Sequence, residues 1–186
     1  MKRIIVTYAT TKELVELDWE DIQVAYLRTG VGKTKSAYYL SQAIDNLKPD
    51  VVINVGTAGT ESHAVGDIFV CHHFLDRDMK KLANYGIEFE IDLPAIPDFL
   101  PECLKRQEGT CNTGDTFVTG AENLSEDVID MEAYAQAFVC QSKNTPFIAV
   151  KCITDIIGQN SVEIWEDGIT KASKALYRYL NGKEKK

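Results

Sequence analysis

Two carboxylates stand at positions where they could act on a small polar molecule. Asp155 comes at the end of the apolar stretch 146–154, and the pair Met131-Glu132 stands where an apolar strand turns into a helix. Ligands of open α/β sheets bind at the carboxyl ends of the strands. Because different segments deliver the two carboxylates to such ends, we expect one site that handles a polar small molecule.

A glycine-rich turn at 30–34, with the sequence Gly-Val-Gly-Lys-Thr, opens a predicted helix. A P-loop also ends in Gly-Lys-Thr, but that motif requires a glycine where Leu27 stands, which excludes it. The free backbone N–H groups at the start of the helix, from Gly32 onward, could face an anion, a hydroxyl or a water. A plain tight turn between strand and helix explains the same residues.

Each of the other candidate residues also has a purely structural explanation. The small residues of 54–59, Asn-Val-Gly-Thr-Ala-Gly, let a ligand or a packed helix approach the backbone. Phe117, in the loop 113–118, could be a core side chain. Glu132 could be a solvated residue in the first turn of a helix, and Asp155 could cap one.

These residues are positioned by alternating strands and helices, which indicate βαβ crossovers and a mostly parallel sheet. The predicted strands are 2–9, 22–28, 51–55, 66–74, 87–93, 110–118 and 147–153. The predicted helices are 12–17, 33–47, 131–142 and 162–180. Neither repeats nor a linker interrupt the chain, so we expect one α/β domain over 1–182 and a charged tail over 183–186.

Composition restricts the classes of partner. A net charge of −8 disfavours a nucleic-acid backbone, and no apolar stretch is long enough to cross a membrane. The five cysteines form no Cys-x-x-Cys pair, and we expect free thiols in a reducing, cytoplasmic compartment. His63, His72 and His73 are too scattered for a zinc site, so no metal is expected.

The motifs at 30–33, 54–59, 113–118, 128–133 and 146–155 together resemble the nucleoside phosphorylase and nucleosidase superfamily. Within it, they are most similar to the 5'-methylthioadenosine/S-adenosylhomocysteine nucleosidases. The resemblance implies a three-layer α/β/α fold with a mostly parallel mixed central sheet. It also implies hydrolysis of the N-glycosidic bond of a purine nucleoside, with adenine as the expected base, without a cofactor, by a homodimer. In the dimer, Tyr85, Phe89 and Ile91 are the candidate apolar contacts.

The same resemblance assigns the reacting groups. Asp155, oriented by Thr154, would donate a proton to N7 of the purine, and its pKa should be raised so that it holds that proton near neutral pH. Glu13 would activate the attacking water, with Glu16 as a possible substitute. One acid and one base on opposite sides of the sugar correspond to the inverting glycosidase mechanism.

The remaining assignments concern substrate binding. Phe117 would stack on the base while the backbone of Val118 contacts its edge, and Glu132 with Met131 would hold the ribose. Gly32, Thr57 and Gly59 would border the nucleophile, with Thr57 standing where the nucleosidases have serine. Lys151 stands where they often have arginine, and Asp130 where they have glutamate.

Water is the expected nucleophile, because phosphate binding favours arginine and none occurs between Arg28 and Arg77. Two alternatives stay open from the sequence. One is a phosphate-dependent purine nucleoside phosphorylase with the same fold. The other is a non-catalytic nucleoside-binding paralogue, since several segments that would wall the pocket are short.

Overall fold

The computed structural model describes residues 1–106, 109–120, 124, 127–159 and 161–183, with the backbone alone for 161–167. Its strands are β1 Lys2–Tyr8, β2 Ile22–Arg28, β3 Val51–Thr60, β4 Ile68–Asp76, β5 Glu90–Asp92, β6 Gly109–Thr113, β7 Val128–Asp130 and β8 Phe147–Ile156. Its α-helices are α1 Lys33–Leu47, α2 Arg77–Lys80, α3 Ala133–Ser142 and α4 Ser161–Leu180. A 3-10 turn, Thr11–Glu13, follows β1, and two others lie at Ala83–Tyr85 and Glu102–Leu104.

The described strands form one mixed sheet, part of which closes on itself. The order β2-β1-β3 is parallel, and β3 continues through β8, β4, β6 and β7 back to β3. The pairs β3–β7, β4–β8 and β4–β5 are antiparallel, whereas β4–β6 and β6–β7 are parallel. Register shifts after Ala58 and between Cys71 and His73 bend the strands, as β-bulges do. The sequence contains no signal for this closure.

Helices cover the sheet through two clusters of buried side chains. One cluster joins Leu40 and Ile44 of α1 and Ala137 of α3 to the sheet. The other joins α4, through Ala172 and Leu176, to the same strands. The spacing of three or four residues on each helix places these side chains on one face. The packed helices thereby hold in place the strands that carry the candidate residues at their ends.

The predicted strands and three of the four predicted helices are present, but several bounds differ. β3 and β8 run on to Thr60 and Ile156, so Asp155 lies inside a strand and caps no helix. The predicted helix 12–17 is a single 3-10 turn, and the strand predicted to reach 118 ends at Thr113. Ile91 is 5% exposed in the core, which removes it as a dimer contact, whereas Tyr85 is 82% exposed.

Of the five free cysteines, Cys71, Cys111, Cys140 and Cys152 are buried and Cys103 is partly buried. Within the part of the chain that is described, no helix is long and apolar enough to cross a membrane. No grouping of side chains suited to a metal ion occurs among the same residues. Most of the predicted tail, 184–186, lies outside the described residues.

Candidate active site

A cavity of about 330 Å³ lies where β3, β7 and β8 end beside the 3-10 turn. Eight of the ten residues predicted for the site line it: Glu13, Thr57, Gly59, Phe117, Val118, Met131, Glu132 and Asp155. The other two, Gly32 and Thr154, each contact one of these by a hydrogen bond. The tertiary structure therefore brings together residues separated by more than a hundred positions in the chain.

Glu13 is buried and its carboxylate accepts four hydrogen bonds. The backbone N–H and the hydroxyl of Thr57 donate to Oε1 over 3.0 and 2.7 Å. The backbone N–H and the hydroxyl of Thr10 donate to Oε2, each over 2.9 Å. These donors come from β3 and from the start of the 3-10 turn, so the carboxylate is held in one orientation at the cavity wall. Glu16, the possible substitute, does not line this cavity.

Asp155 is 3% exposed and lies opposite Gly59 in the β3–β8 register. The hydroxyl of Thr154 donates to its Oδ1 over 2.9 Å and also lies 3.2 Å from the carbonyl of Ala58. A side-chain carbon at Gly59 would lie 3.1 Å from Oδ2 of Asp155, so a glycine leaves room for the carboxyl group. The predicted orienting contact between Thr154 and Asp155 is present.

Glu132 is 7% exposed, which makes the solvated interpretation of this residue wrong. Its Oε1 accepts a hydrogen bond from the backbone N–H of Gly32 over 2.9 Å. Burial raises the pKa of Glu132 to about 7; the Lys151 ammonium opposes this rise, and the Asp130 carboxylate adds to it. A carboxyl group whose pKa is near 7 changes its charge, and hence its capacity to accept hydrogen bonds, in the physiological range.

An apolar wall faces these carboxylates. The Phe117 ring is 39% exposed at the cavity, and Met131 lines the cavity beside Glu132. Val118, Ile129 and Ile157, which also line the cavity, pack together in a small buried cluster. A half-exposed aromatic ring beside buried apolar side chains is suited to stacking against a flat ring.

Two buried cations near the cavity were not among the predicted site residues. Lys151 is paired with Asp130, and Arg77 donates to four backbone carbonyls, those of Asn112, Asp130, Gly114 and Thr116. The sequence did mark Lys151, because it is a charged residue inside the otherwise apolar predicted strand 147–153. No sequence pattern marks Arg77, because its partners lie 35 or more positions away.

A family model described as the phosphorylase superfamily matches residues 9–182. The chain belongs to this superfamily. It is 31% identical over 180 residues to a Bacillus licheniformis protein named 5'-methylthioadenosine/S-adenosylhomocysteine nucleosidase, with 84% of this chain and 78% of the relative covered.

Solved structures share the superfamily fold. The Arabidopsis thaliana 5'-methylthioadenosine nucleosidase superposes with a TM-score of 0.80 at 22% identity, covering 96% of this chain and 92% of that one. The futalosine hydrolase of Helicobacter pylori superposes with a TM-score of 0.77 at 17% identity, covering 96% and 95%. At these identities the likeness establishes the fold alone.

In this member of the superfamily, the start of α1 is occupied by the protein's own carboxylates. The backbone N–H of Gly32 donates to Glu132, and that of Lys33 donates to Asp115 over 2.7 Å. The Lys33 ammonium pairs with Asp76 and Asp78 at 3.0 and 2.7 Å. The glycine turn therefore serves to hold Glu132 and the 113–118 loop, because these N–H groups already have anionic acceptors.

Proposed function

We propose that this chain hydrolyses the N-glycosidic bond of purine nucleosides, releasing the free base and the sugar. We further infer that the base is adenine and that the sugar carries a 5' substituent, as in methylthioadenosine or S-adenosylhomocysteine. The named Bacillus relative supports this substrate class. The observation that carries the proposal is that Glu13 and Asp155, both buried, line one cavity together with Phe117 and Glu132.

In the proposed reaction, Asp155 gives a proton to N7 of the base as the bond from the base to the anomeric carbon breaks. Water attacks that carbon and gives a proton toward Glu13. Ionised Glu132 accepts hydrogen bonds from the ribose hydroxyls, Met131 packs on the sugar, and Phe117 stacks on the base. The products are one free base and one sugar, and the step needs no redox partner.

Water, rather than phosphate, is the nucleophile in this proposal. A phosphate at the start of α1 would have to displace Glu132 and Asp115 from the N–H groups that they occupy. It would also approach the carboxylate of Glu13, which lines the same cavity. Repulsion between like charges in a buried site disfavours such binding. The occupied turn supports a hydrolase over a phosphorylase.

We also infer a three-layer α/β/α arrangement over 1–182, a homodimer and a cytoplasmic location. The packing of α1 with α3 on one buried cluster, and of α4 on another, supports the three layers. Exposed Tyr85 supports a contact surface for a second copy. The free cysteines support a reducing compartment.

The test is release of free base from methylthioadenosine, S-adenosylhomocysteine, adenosine and inosine, measured by chromatography with and without phosphate. We expect release of adenine without phosphate and no increase in rate when phosphate is added. Release that requires phosphate would make the protein a phosphorylase. Binding of these nucleosides without release of any base would make it a non-catalytic binding protein.

A further inference from the structure

The Glu13 carboxylate has no acceptor position left for a water molecule. An ionised carboxylate offers about four lone-pair positions. Thr57 and Thr10 each fill two of them, one with a backbone N–H and one with a hydroxyl. A water that is to lose its proton to Glu13 therefore either displaces a donor or passes the proton through one.

The hydroxyls are the only two of these four donors that can take up one proton while releasing another. The two backbone N–H groups cannot, because the lone pair of an amide nitrogen is delocalised into its carbonyl group and takes up no proton. Both hydroxyls belong to residues that line the cavity. Because a hydroxyl oxygen also accepts hydrogen bonds, either threonine can accept one from a water in the cavity.

Thr57 is the better placed of the two. Its hydroxyl makes the shorter contact with Glu13, 2.7 Å against 2.9 Å for Thr10. It is 8% exposed and lies in a strand that pairs with β8 along its length, whereas Thr10 is partly exposed at a bend. A threonine side chain is also restricted in its first torsion angle, so the hydroxyl is held toward Glu13.

We propose that Thr57 relays the proton from the attacking water to Glu13, a role that rests on the hydrolase function proposed above. As the water oxygen bonds to the anomeric carbon, its O–H bond breaks and the proton passes to Oγ1 of Thr57. The hydroxyl proton of Thr57 passes at the same time to Oε1 of Glu13. Thr57 ends the step as a neutral hydroxyl and Glu13 as a carboxylic acid. The electron pair of the broken C–N bond leaves with the base.

The relay is tested by three substitutions at one position. Thr57→Ser keeps the hydroxyl, Thr57→Ala leaves a space that a water can fill, and Thr57→Val fills that space with a methyl group. The relay predicts that kcat of Thr57→Ser stays within about threefold of wild type. For Thr57→Val it predicts a fall in kcat of about 100-fold or more, which is the usual contribution of general-base catalysis to a rate. Ala should fall between them, because a water can replace the hydroxyl. Thr170→Val on the exposed face of α4, outside the cavity, is the matched control and should keep wild-type kcat, and Thr10→Val should cost less than Thr57→Val.

Single-turnover rates in mixtures of H2O and D2O provide a readout that a structural role would not move. The relay puts three protons in flight, those of Asp155, the water and Thr57, whereas direct transfer from water to Glu13 puts only two in flight. It therefore predicts a more strongly curved dependence on the deuterium fraction for wild type and Thr57→Ser than for Thr57→Val. A Thr57→Val variant with wild-type kcat, or equal curvature in wild type and Thr57→Val, would overturn the relay while leaving the hydrolase function intact. A wild-type protein that releases no base would overturn both.

Discussion

Lys151 and Asp130 form an ion pair shielded from solvent, with Nζ 2.9 Å from Oδ2 and side chains that are 2% and 0% exposed. Burial alone would lower the pKa of Lys151, but the Asp130 and Glu132 carboxylates outweigh it and raise that pKa. For Asp130, burial is outweighed by the Lys151 ammonium, and its pKa is lowered. Asp130 also accepts a bond from the N–H of Ala133 over 2.8 Å, which anchors the start of α3 beside Glu132.

Lys151→Met should therefore destabilise the fold. The substitution leaves Asp130 buried without its counter-ion, which costs about 3–5 kcal/mol. The free energy of unfolding in urea measures this. The double variant Lys151→Met/Asp130→Asn is the control and should lose less than the sum of the single variants. Strictly additive losses would show that the two side chains do not stabilise one another.

Asp155→Asn should abolish base release while preserving the fold. Asparagine keeps the size of the side chain and its contact with Thr154, but it cannot donate the proton of a carboxylic acid. We expect kcat to fall by about 10²–10⁴-fold. Asp92→Asn changes an exposed carboxylate on β5 and should leave kcat unchanged. An active Asp155→Asn protein with a normal thermal unfolding midpoint would refute the assignment of the acid.

The kcat/KM for base release should rise with pH up to about 7. Glu132 must be ionised to accept bonds from both ribose hydroxyls, and its pKa is raised to about 7. Because kcat/KM reports groups of the free protein, its acid limb should show this pKa. Glu132→Gln should raise KM and remove the limb. If the acid limb of the kcat/KM profile persists in Glu132→Gln, the ionisation belongs to another group.

The same group should make stability depend on pH. A carboxyl group whose pKa is raised in the folded state stabilises the fold below its unfolded pKa of 4.5, and this stabilisation is lost as pH rises through about 7. The loss amounts to about 3 kcal/mol. We expect the unfolding free energy of wild type, measured relative to Glu132→Gln, to fall by about this amount between pH 4 and pH 8. A constant difference would contradict the raised pKa.

Gly59→Ala should impair turnover by displacing Asp155. The new carbon would lie 2.8 Å from Cδ1 of Ile157 and 3.1 Å from Oδ2 of Asp155. Misplacement of a reacting group by about 1 Å costs up to about 100-fold in rate. Ile157→Val removes Cδ1, so the double variant Gly59→Ala/Ile157→Val should recover part of kcat. Wild-type kcat in Gly59→Ala alone would show that the close approach is not required.

Arg77→Lys should weaken substrate binding more than it slows turnover. The guanidinium joins four carbonyls at 2.7–3.0 Å, including that of Thr116 just before Phe117, and a lysine cannot span them. We expect a raised KM with a smaller change in kcat. The substitution displaces Phe117, which is proposed to stack on the base, and leaves the reacting carboxylates in place. Arg178→Lys on the exposed face of α4 is the control. Equal losses in kcat and kcat/KM would contradict this role.

Local sequence patterns were sufficient to predict most of the elements and eight of the residues that line the cavity. The apolar runs 51–55 and 147–153 correspond to the centres of β3 and β8, and the glycine turn does open α1. Their predicted ends were too early, because β3 and β8 extend one another by pairing through Thr60 and Ile156. Pairing between strands that are a hundred residues apart leaves no trace in a local pattern.

The sequence by itself determined which side chains are candidates for the proposed chemistry, because residue type and position at strand ends are local properties. Only the tertiary structure decided what surrounds them. The two Thr57 donors on Glu13, the pairing of Lys151 with Asp130 and the carbonyl contacts of Arg77 all join distant segments. Closure of β3, β8, β4, β6 and β7 into a ring brings together the segments of Lys151, Asp130 and Arg77, and the pairing of β1 with β3 brings Glu13 to Thr57. These contacts set the charge of each site side chain, the hydrogen bonds that its oxygens accept and its orientation. Each of these properties depends on neighbours that only folding supplies.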